Sequence, residues 1–178
     1  MILKIMKFLP RDHFILYSLR SADELRTALR PHIRKPNFIQ IMLWPIGKKA
    51  EQRFEGAVDI KGFKIWPVIR YQNSFLPIIV GAFRESANGT TISVRQRLSP
   101  FVKWFSVVWA TFVLLFLGFA IINPDNIENA ETLWEARLIP VIMIGFLWCL
   151  ANGAFWWEAR HTKDELKRIL DAHEHPTL

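Results

Sequence analysis

From Trp104 to Ile122 the chain runs for 19 residues without a charge, "WFSVVWATFVLLFLGFAII". From Leu138 to Trp157 it does so again for 20 residues, "LIPVIMIGFLWCLANGAFWW". As α-helices these runs would measure about 28 and 30 Å, close to the hydrocarbon thickness of a bilayer. A core helix of a small soluble domain carries a polar stripe, and neither run has one. Both are expected to cross a membrane, with Pro140 in the first turn of the second, where its missing N–H costs little. Residues 123–137, "NPDNIENAETLWEAR", join the two. Asn123-Pro124 is a helix stop, and Ile127, Ala130, Leu133 and Trp134 recur at helical spacing, so a short helix on the outer surface is expected.

Upstream the pattern changes period. "TISVRQRL" alternates, with Ile92, Val94 and Leu98 on one face and Thr91, Ser93, Arg95 and Arg97 on the other, as in a strand with one buried and one wet face. "FILYSL" (14–19), "NFIQIMLW" (37–44), "QRFEGAVDI" (52–60), "FKIWPVIRY" (63–71) and "SFLPIIVGAFRES" (74–86) also read as strands. "FLPIIVGAF" is apolar, but nine residues containing Pro77 and Gly81 are too few to cross as a helix. Asn88-Gly89 is the turn of a β-hairpin; Asn88-Gly89-Thr90 also matches a glycosylation acceptor, unused if it faces the cytoplasm. Ser21-x-x-Glu24 is a capping box and opens a helix from Ala22 to about Arg30, ended near Pro31. After the second apolar run, "EARHTKDELKRILDAHEH" sets Ala159, Thr162, Leu166, Ile169, Leu170 and His173 on one helical face, with an Asp164–Arg168 ion pair on the other.

These elements define an α+β fold, a β-rich sheet plus one helix in a basic cytoplasmic domain over 1–99. A two-helix transmembrane hairpin follows over 100–157, with spans at about 104–122 and 138–157 and an acidic external loop at 123–137. A C-terminal amphipathic helix and tail occupy 158–178 and are expected to pack on the sheet. "MILKIMKFLPRDHF" lacks the features of a cleaved signal peptide, because Lys4 and Lys7 break its apolar core.

Charge orients this arrangement. Residues 1–99 hold 17 Lys/Arg against 7 Asp/Glu, and residues 100–178 hold 6 against 9, net +10 and −3. The basic half calls for an anionic partner. Arg95, Arg97 and Lys103 precede the first span, and Arg160, Lys163, Lys167 and Arg168 follow the second. The loop carries Asp125, Glu128, Glu131 and Glu135 against Arg137 alone. Lys/Arg-rich flanks stay in the cytoplasm, so a multi-pass protein of the cell (inner) membrane with both termini cytoplasmic is expected. Trp104, Trp156 and Trp157 mark one interfacial belt, and Trp134 the other.

Candidate chemistry is sparse. There is no Gly-rich phosphate loop, no His-Glu-x-x-His and no paired-cysteine spacing. His173-Glu174-His175 sits in a terminus. Cys149, the single cysteine, lies inside an apolar run and reads as an inert small residue. No catalytic, cofactor-binding or metal site is expected. Gly145, Cys149 and Gly153 instead form a small-residue ridge at i, i+4 and i+8, matched on the first span by Ser106, Ala110 and Gly118. Such ridges let membrane helices approach closely. They pack the hairpin or, alternatively, pair it with another copy or another protein. Asn152 is the one strongly polar side chain in either run and is expected to bond across helices or, a turn and a half from the cytoplasmic end, to reach interfacial water. Lys48, Lys49, Lys61, Lys64 and Lys103 are candidate contacts for anionic lipid headgroups.

One resemblance follows from "FKIWPVIRYQNSFLPIIVGAFRESANGTTISVRQRLSPFVKWF" leading into two spans. Asn73-Ser74-Phe75-Leu76-Pro77, Gly89-Thr90 and Phe155-Trp156-Trp157-Glu158-Ala159 resemble the pattern of a family of small uncharacterised bacterial two-span membrane proteins. The resemblance covers about the last two-thirds of the chain. It implies a bacterial membrane location and carries over no catalytic residue.

The expected function is a non-catalytic, membrane-anchored interaction or regulatory module. Its partners are the bilayer together with an anionic lipid, a protein or a second copy, and not nucleic acid, since no nucleic-acid module is recognisable. Two alternatives stand beside it: a sensor that faces anionic lipid through a PH-like β domain, and an immunity protein against a membrane-acting toxin.

Overall fold

The computed structural model describes residues 10–35, 52–68, 75–123 and 130–174. The strand expected at 37–44 lies outside these residues. The alternating run becomes β6 (Gly89–Leu98), with Ile92, Val94 and Leu98 buried and Arg95 and Arg97 exposed. It pairs antiparallel with β5 (Pro77–Ser86) on one side and β1 (Arg11–Ser18) on the other. With β2 (Ile33–Arg34), β3 (Phe54–Val58), β4 (Gly62–Pro67) and β7 (His173–Glu174), the described strands form one sheet in the order β2-β3-β4-β5-β6-β1-β7. Only β2 and β3 run parallel. Pro77 opens β5, a position where no ladder hydrogen bond from its nitrogen is required.

Two glycines are needed for this sheet to close up. Gly81 lies opposite Phe63, and a Cβ there would come within 2.1 Å of the Phe63 ring. Gly89, at φ 139°, follows the hairpin turn, and a Cβ would fall 2.4 Å from the Ser18 carbonyl oxygen.

The inner face of the sheet carries the core. Phe14, Leu16, Phe54, Phe63, Ile65, Ile79, Ile92 and Val94 form one buried cluster with Leu25, Leu29, Leu166, Leu170 and Ala172. Leu25 and Leu29 come from α1 (Ala22–Leu29), which starts as the sequence predicts. Ser21 Oγ accepts from the Glu24 N–H, and the Glu24 carboxylate accepts from the Ser21 N–H. Those bonds to the Ser21 backbone and hydroxyl hold the Glu24 carboxyl below its usual pKa. A short 3₁₀ turn, Arg30–His32, ends the helix at Pro31.

Two long helices complete the chain: α2 (Pro100–Ile122) and α3 (Ala130–Ile169). Both contain segments long and apolar enough to cross a membrane. Helix α3 differs from expectation at both ends. The second half of the joining segment is no separate surface helix but the first turns of α3, so Pro140 falls inside a helix. Pro140 has no N–H to offer the carbonyl four residues back. At the other end the helix runs without a break past Trp157 to Ile169, about 60 Å in all for its 40 residues. It then stops short of the expected length. Asp171 adopts a left-handed φ of 46°, the Ala172 N–H reaches back to the Lys167 carbonyl at 3.0 Å, and the chain adds β7 to the edge of β1. Ser18 Oγ donates to the Leu170 carbonyl at 3.2 Å, fixing this corner to the sheet. The residues after 157 therefore share one core with the sheet.

Candidate functional site

The register brings Phe54 of β3, Pro67 of β4, Pro77 of β5 and Leu98 of β6 to one end of the sheet. Helix α3 leaves its uncharged run at this same end. Leu98, Val102, Phe155 and Ala159 form a second buried cluster here, flanked by Phe75 and Trp156. The Phe155 and Trp156 rings meet edge to face at 5.3 Å. Beside this cluster opens a cavity of about 320 Å³, within the size range of small-molecule sites.

The cavity has two walls. The strand ends contribute Arg53, Phe54, Pro67 and Val68. Helix α3 contributes Trp157, Glu158, His161, Thr162 and Glu165, positions that fall along one side of a helix. Glu165 Oε1 lies 3.6 Å from Arg53 Nε and 2.9 Å from Arg168 Nη2. Arg168 therefore pairs three residues back, not with Asp164 as expected. His161 Nδ1 is 3.0 Å from the Trp157 carbonyl oxygen; a carbonyl only accepts, so this nitrogen carries the proton. Thr162 is 3% exposed and Glu158 8%. The Thr162 hydroxyl is buried and has no hydrogen-bond partner among the described residues.

The outward face of the sheet is a different surface. Register sets Arg11 beside Arg97, and His13 beside Arg95, on β1 and β6. Lys64, Val80 and Arg95 line up across β4, β5 and β6, and Arg84 lies one strand from Thr91. Arg11, Lys64, Arg84, Arg95 and Arg97 are all exposed. None of them forms an ion pair among the described residues. Glu55, an acidic side chain on this side, already pairs with Arg34 at 3.7 Å. Ile15, Ile78, Val80 and Trp66 lie half-buried between the cations.

The expected lipid-contact lysines scatter. Lys48 and Lys49 lie outside the described residues. Lys103 is exposed in the first turns of α2, and Lys64 is on the outward sheet face. Lys61 sits in the β3–β4 turn next to Gly62, which aligns through Ala82 with Ser93. That places it about 20 Å along the strands from Leu98.

The glycines of the small-residue ridge have open space around them. Gly145 and Gly153 are exposed, and a Cβ on either, or on Gly118, would meet nothing within 4 Å. Cys149 is exposed with them. Val102 and Ala120 on α2 and Pro140 and Phe155 on α3 are buried, and Ser106, Trp109, Ala110, Val113, Leu117 and Gly118 on α2 with Ile144, Leu147, Ala151 and Asn152 on α3 are half-buried. Val102 and Phe155 share one buried cluster where the two helices meet. At about 100° per residue, Gly145 lies more than a quarter of a turn round α3 from Ile144, and Cys149 and Gly153 lie farther round on that same side. A straight contact mixes steps of three and four. Asn152 does not bond across to α2: its Nδ2 donates to the Trp148 carbonyl at 2.9 Å on its own helix. Its Oδ1 is buried without a partner among the described residues. Trp104, Trp134 and Trp157 are exposed, while Trp156 is half-buried at the junction.

Reading by pattern missed Arg11, because β1 starts three residues before its first apolar residue. It also missed the cavity, whose two walls are about a hundred residues apart. Among the described residues, no three of His, Cys, Asp and Glu are placed to hold a metal ion. His173 and Glu174 lie in β7, and Glu174 accepts from Lys163 and from Lys167. The search for similar proteins found no matching family model, no matching curated protein and no matching solved structure.

Proposed function

We propose that the chain is an integral membrane protein whose helices α2 and α3 cross the cell membrane as a hairpin, with the sheet and both termini in the cytoplasm. It acts there as a non-catalytic, membrane-anchored interaction module. The observation that carries the membrane reading is the exposure of apolar side chains. Phe112 is 69% exposed, Leu115 66% and Phe146 67%. Only 11% of each apolar window is buried, whereas a soluble core helix would be largely covered. So extended an apolar surface is rare on a soluble monomer and is what hydrocarbon covers. Lys103, Arg160 and Lys163 flank the sheet side of the pair, which supports a cytoplasmic sheet. The C-terminal turns of α3 serve as an amphipathic strut, with Leu166 and Leu170 on the sheet and Asp164 and Arg168 outward.

The docking surface in this reading is the outward sheet face, and its charge fits an acidic segment of a partner protein. The bilayer is a weaker candidate for that face as a whole. Arg11, Arg97 and Lys103 lie near the membrane end and fit an anionic headgroup layer. Arg84 aligns with Thr91, seven residues from Leu98 and about 23 Å away along the strand. Over more than two screening lengths of about 8 Å, surface charge has little hold on it.

A photo-crosslinking residue at Ala82, exposed on this face, tests the assignment in intact cells. One discrete protein adduct is expected, lost when Arg84 and Arg95 are both changed to Glu. Lipid adducts alone, or a protein adduct indifferent to the charge reversal, would contradict it.

A further inference from the structure

We propose that the open edge of β1 takes up an extended acidic segment of the partner protein as an added antiparallel strand, laid along Arg11–Ile15 beyond the end of β7. This rests on the interaction reading above and names how that partner is held: by main-chain hydrogen bonds at the edge, with the rest of it over the outward sheet face.

β1 is eight residues long and pairs with β6 throughout. On its other side β7 covers only Leu16 and Tyr17, and among the described residues no strand borders Arg11–Ile15. That stretch contains no proline and its register with β6 is unbroken, so it offers regular strand geometry. Such an edge is a template for another strand, and strand addition is a recurring way to hold an extended peptide. The ladder shows which backbone groups are offered, because alternate residues bond to opposite neighbours. The Phe83 N–H donates to the Lys61 carbonyl at 3.4 Å, so the odd residues of β5 face β4. Register then turns the even residues of β5 toward β6, and the even residues of β6 and of β1 toward each other. Arg11, His13 and Ile15 are left with their N–H and C=O groups along the open edge. The His13 N–H agrees, donating to the Asp12 carboxylate at 3.0 Å.

Charge names the occupant. In an antiparallel ladder, residues opposite Arg11 and His13 carry their side chains on the same face as these two. That face is the outward one, where Arg97 and Arg95 stand one strand further in. Arg11, Arg95 and Arg97 are exposed and form no ion pair among the described residues. Glutamates at the paired positions meet this charge, whereas a second copy of the β1 edge would bring another Arg11 up against it. The intervening positions fall beside Phe14, whose ring lies under Lys163 Nζ at 4.6 Å, and suit apolar residues. The partner strand is therefore expected to alternate acidic and apolar residues.

Amide hydrogen exchange of the full chain in mild detergent, with and without a capped peptide of alternating glutamate and valine, tests this. At saturating peptide the Arg11, His13 and Ile15 amides should exchange about tenfold more slowly. The Asp12 and Phe14 amides, already bonded to β6, should not change. N-methylation of the glutamates should weaken binding about tenfold or more. N-methylation of the valines, whose N–H groups face away from β1, should leave it unchanged. No binding, equal slowing of odd and even residues, or equal binding of both methylated peptides overturns the added strand. So do Arg11, His13 and Ile15 amides as slow as Phe14 before any peptide is added, which would mean that another part of the chain holds the edge. The adduct at Ala82 separates this from the reading beneath it. Present while the edge test fails, it leaves the interaction reading standing; absent as well, both fall.

Discussion

The two halves of α3 follow one stripe and differ in what surrounds it. Pro140, Ile144, Leu147, Ala151 and Phe155 lie on the more covered side of the first half, and the stripe continues through Glu158, Thr162 and Leu166 onto the sheet. Around the first half the remaining sides are apolar, with Trp148 41% and Leu150 46% exposed. Around the second they are Arg160, Asp164 and Arg168, while Leu166 and Leu170 are fully buried. In the proposed membrane arrangement the same stripe serves a helix in hydrocarbon and a helix in water. What tells them apart is the side that touches no protein.

That difference gives the largest expected effect. Leu166→Ala removes a side chain from the packed core and should cost about 2–5 kcal/mol. Leu150→Ala, on the same helix but outside the contact stripe, should cost less than about 1 kcal/mol, since no protein cavity is left behind. Denaturant unfolding of both variants in one detergent, followed by tryptophan fluorescence, measures the pair. Equal losses would break the comparison.

Glycines sharpen it further. At Gly81 an added methyl meets the Phe63 ring, so Gly81→Ala should cost about 1–3 kcal/mol. Gly145→Ala and Gly153→Ala meet open space and should leave thermal stability unchanged. A loss at either would mean that the outward ridge packs against a second chain.

Next in size is Gln96, 1% exposed on the inner sheet face. Neither end of its amide has a partner among the described residues. Gln96→Met keeps the volume and removes the unpaired groups, and should raise stability by about 1 kcal/mol, read as a higher denaturant midpoint. The smallest effect concerns the end of α3. A hydrogen bond from Lys163, partly opposed by desolvation and joined by one from Lys167, holds the Glu174 carboxyl below its usual pKa. This contribution is present above the ordinary glutamate value and fades as pH falls through the lowered one. The carboxylate is 42% exposed, so Glu174→Gln should cost no more than about 0.5 kcal/mol near neutral pH. The variant and the parent should converge in acid, in melts recorded from pH 7 down to pH 3.

Much of this architecture is legible in the chain because it rests on local pattern. Two uncharged runs announce α2 and most of α3, the alternation at 91–98 announces β6, and Ser21 with Glu24 announces α1. Features set by distant contacts are not legible. Pro140 reads as a helix start, yet α3 begins ten residues earlier. The two-residue strands β2 and β7 are too short for any periodicity and exist through their partners. Gly145, Cys149 and Gly153 look like a contact seam in one dimension, but a Cβ on either glycine meets nothing within 4 Å. The cavity depends on Arg53 and Thr162 meeting, and no spacing rule connects those positions.

The central claim is that α2 and α3 cross a bilayer and leave the sheet on the cytoplasmic side. Cys149→Ser removes the single cysteine and allows one thiol to be placed at Glu135 or at Asp164, both exposed. With a membrane-impermeant maleimide on intact cells, Glu135→Cys should label at once and Asp164→Cys only after the membrane is opened. Labelling of both, or of neither, before the membrane is opened would contradict the two-span account.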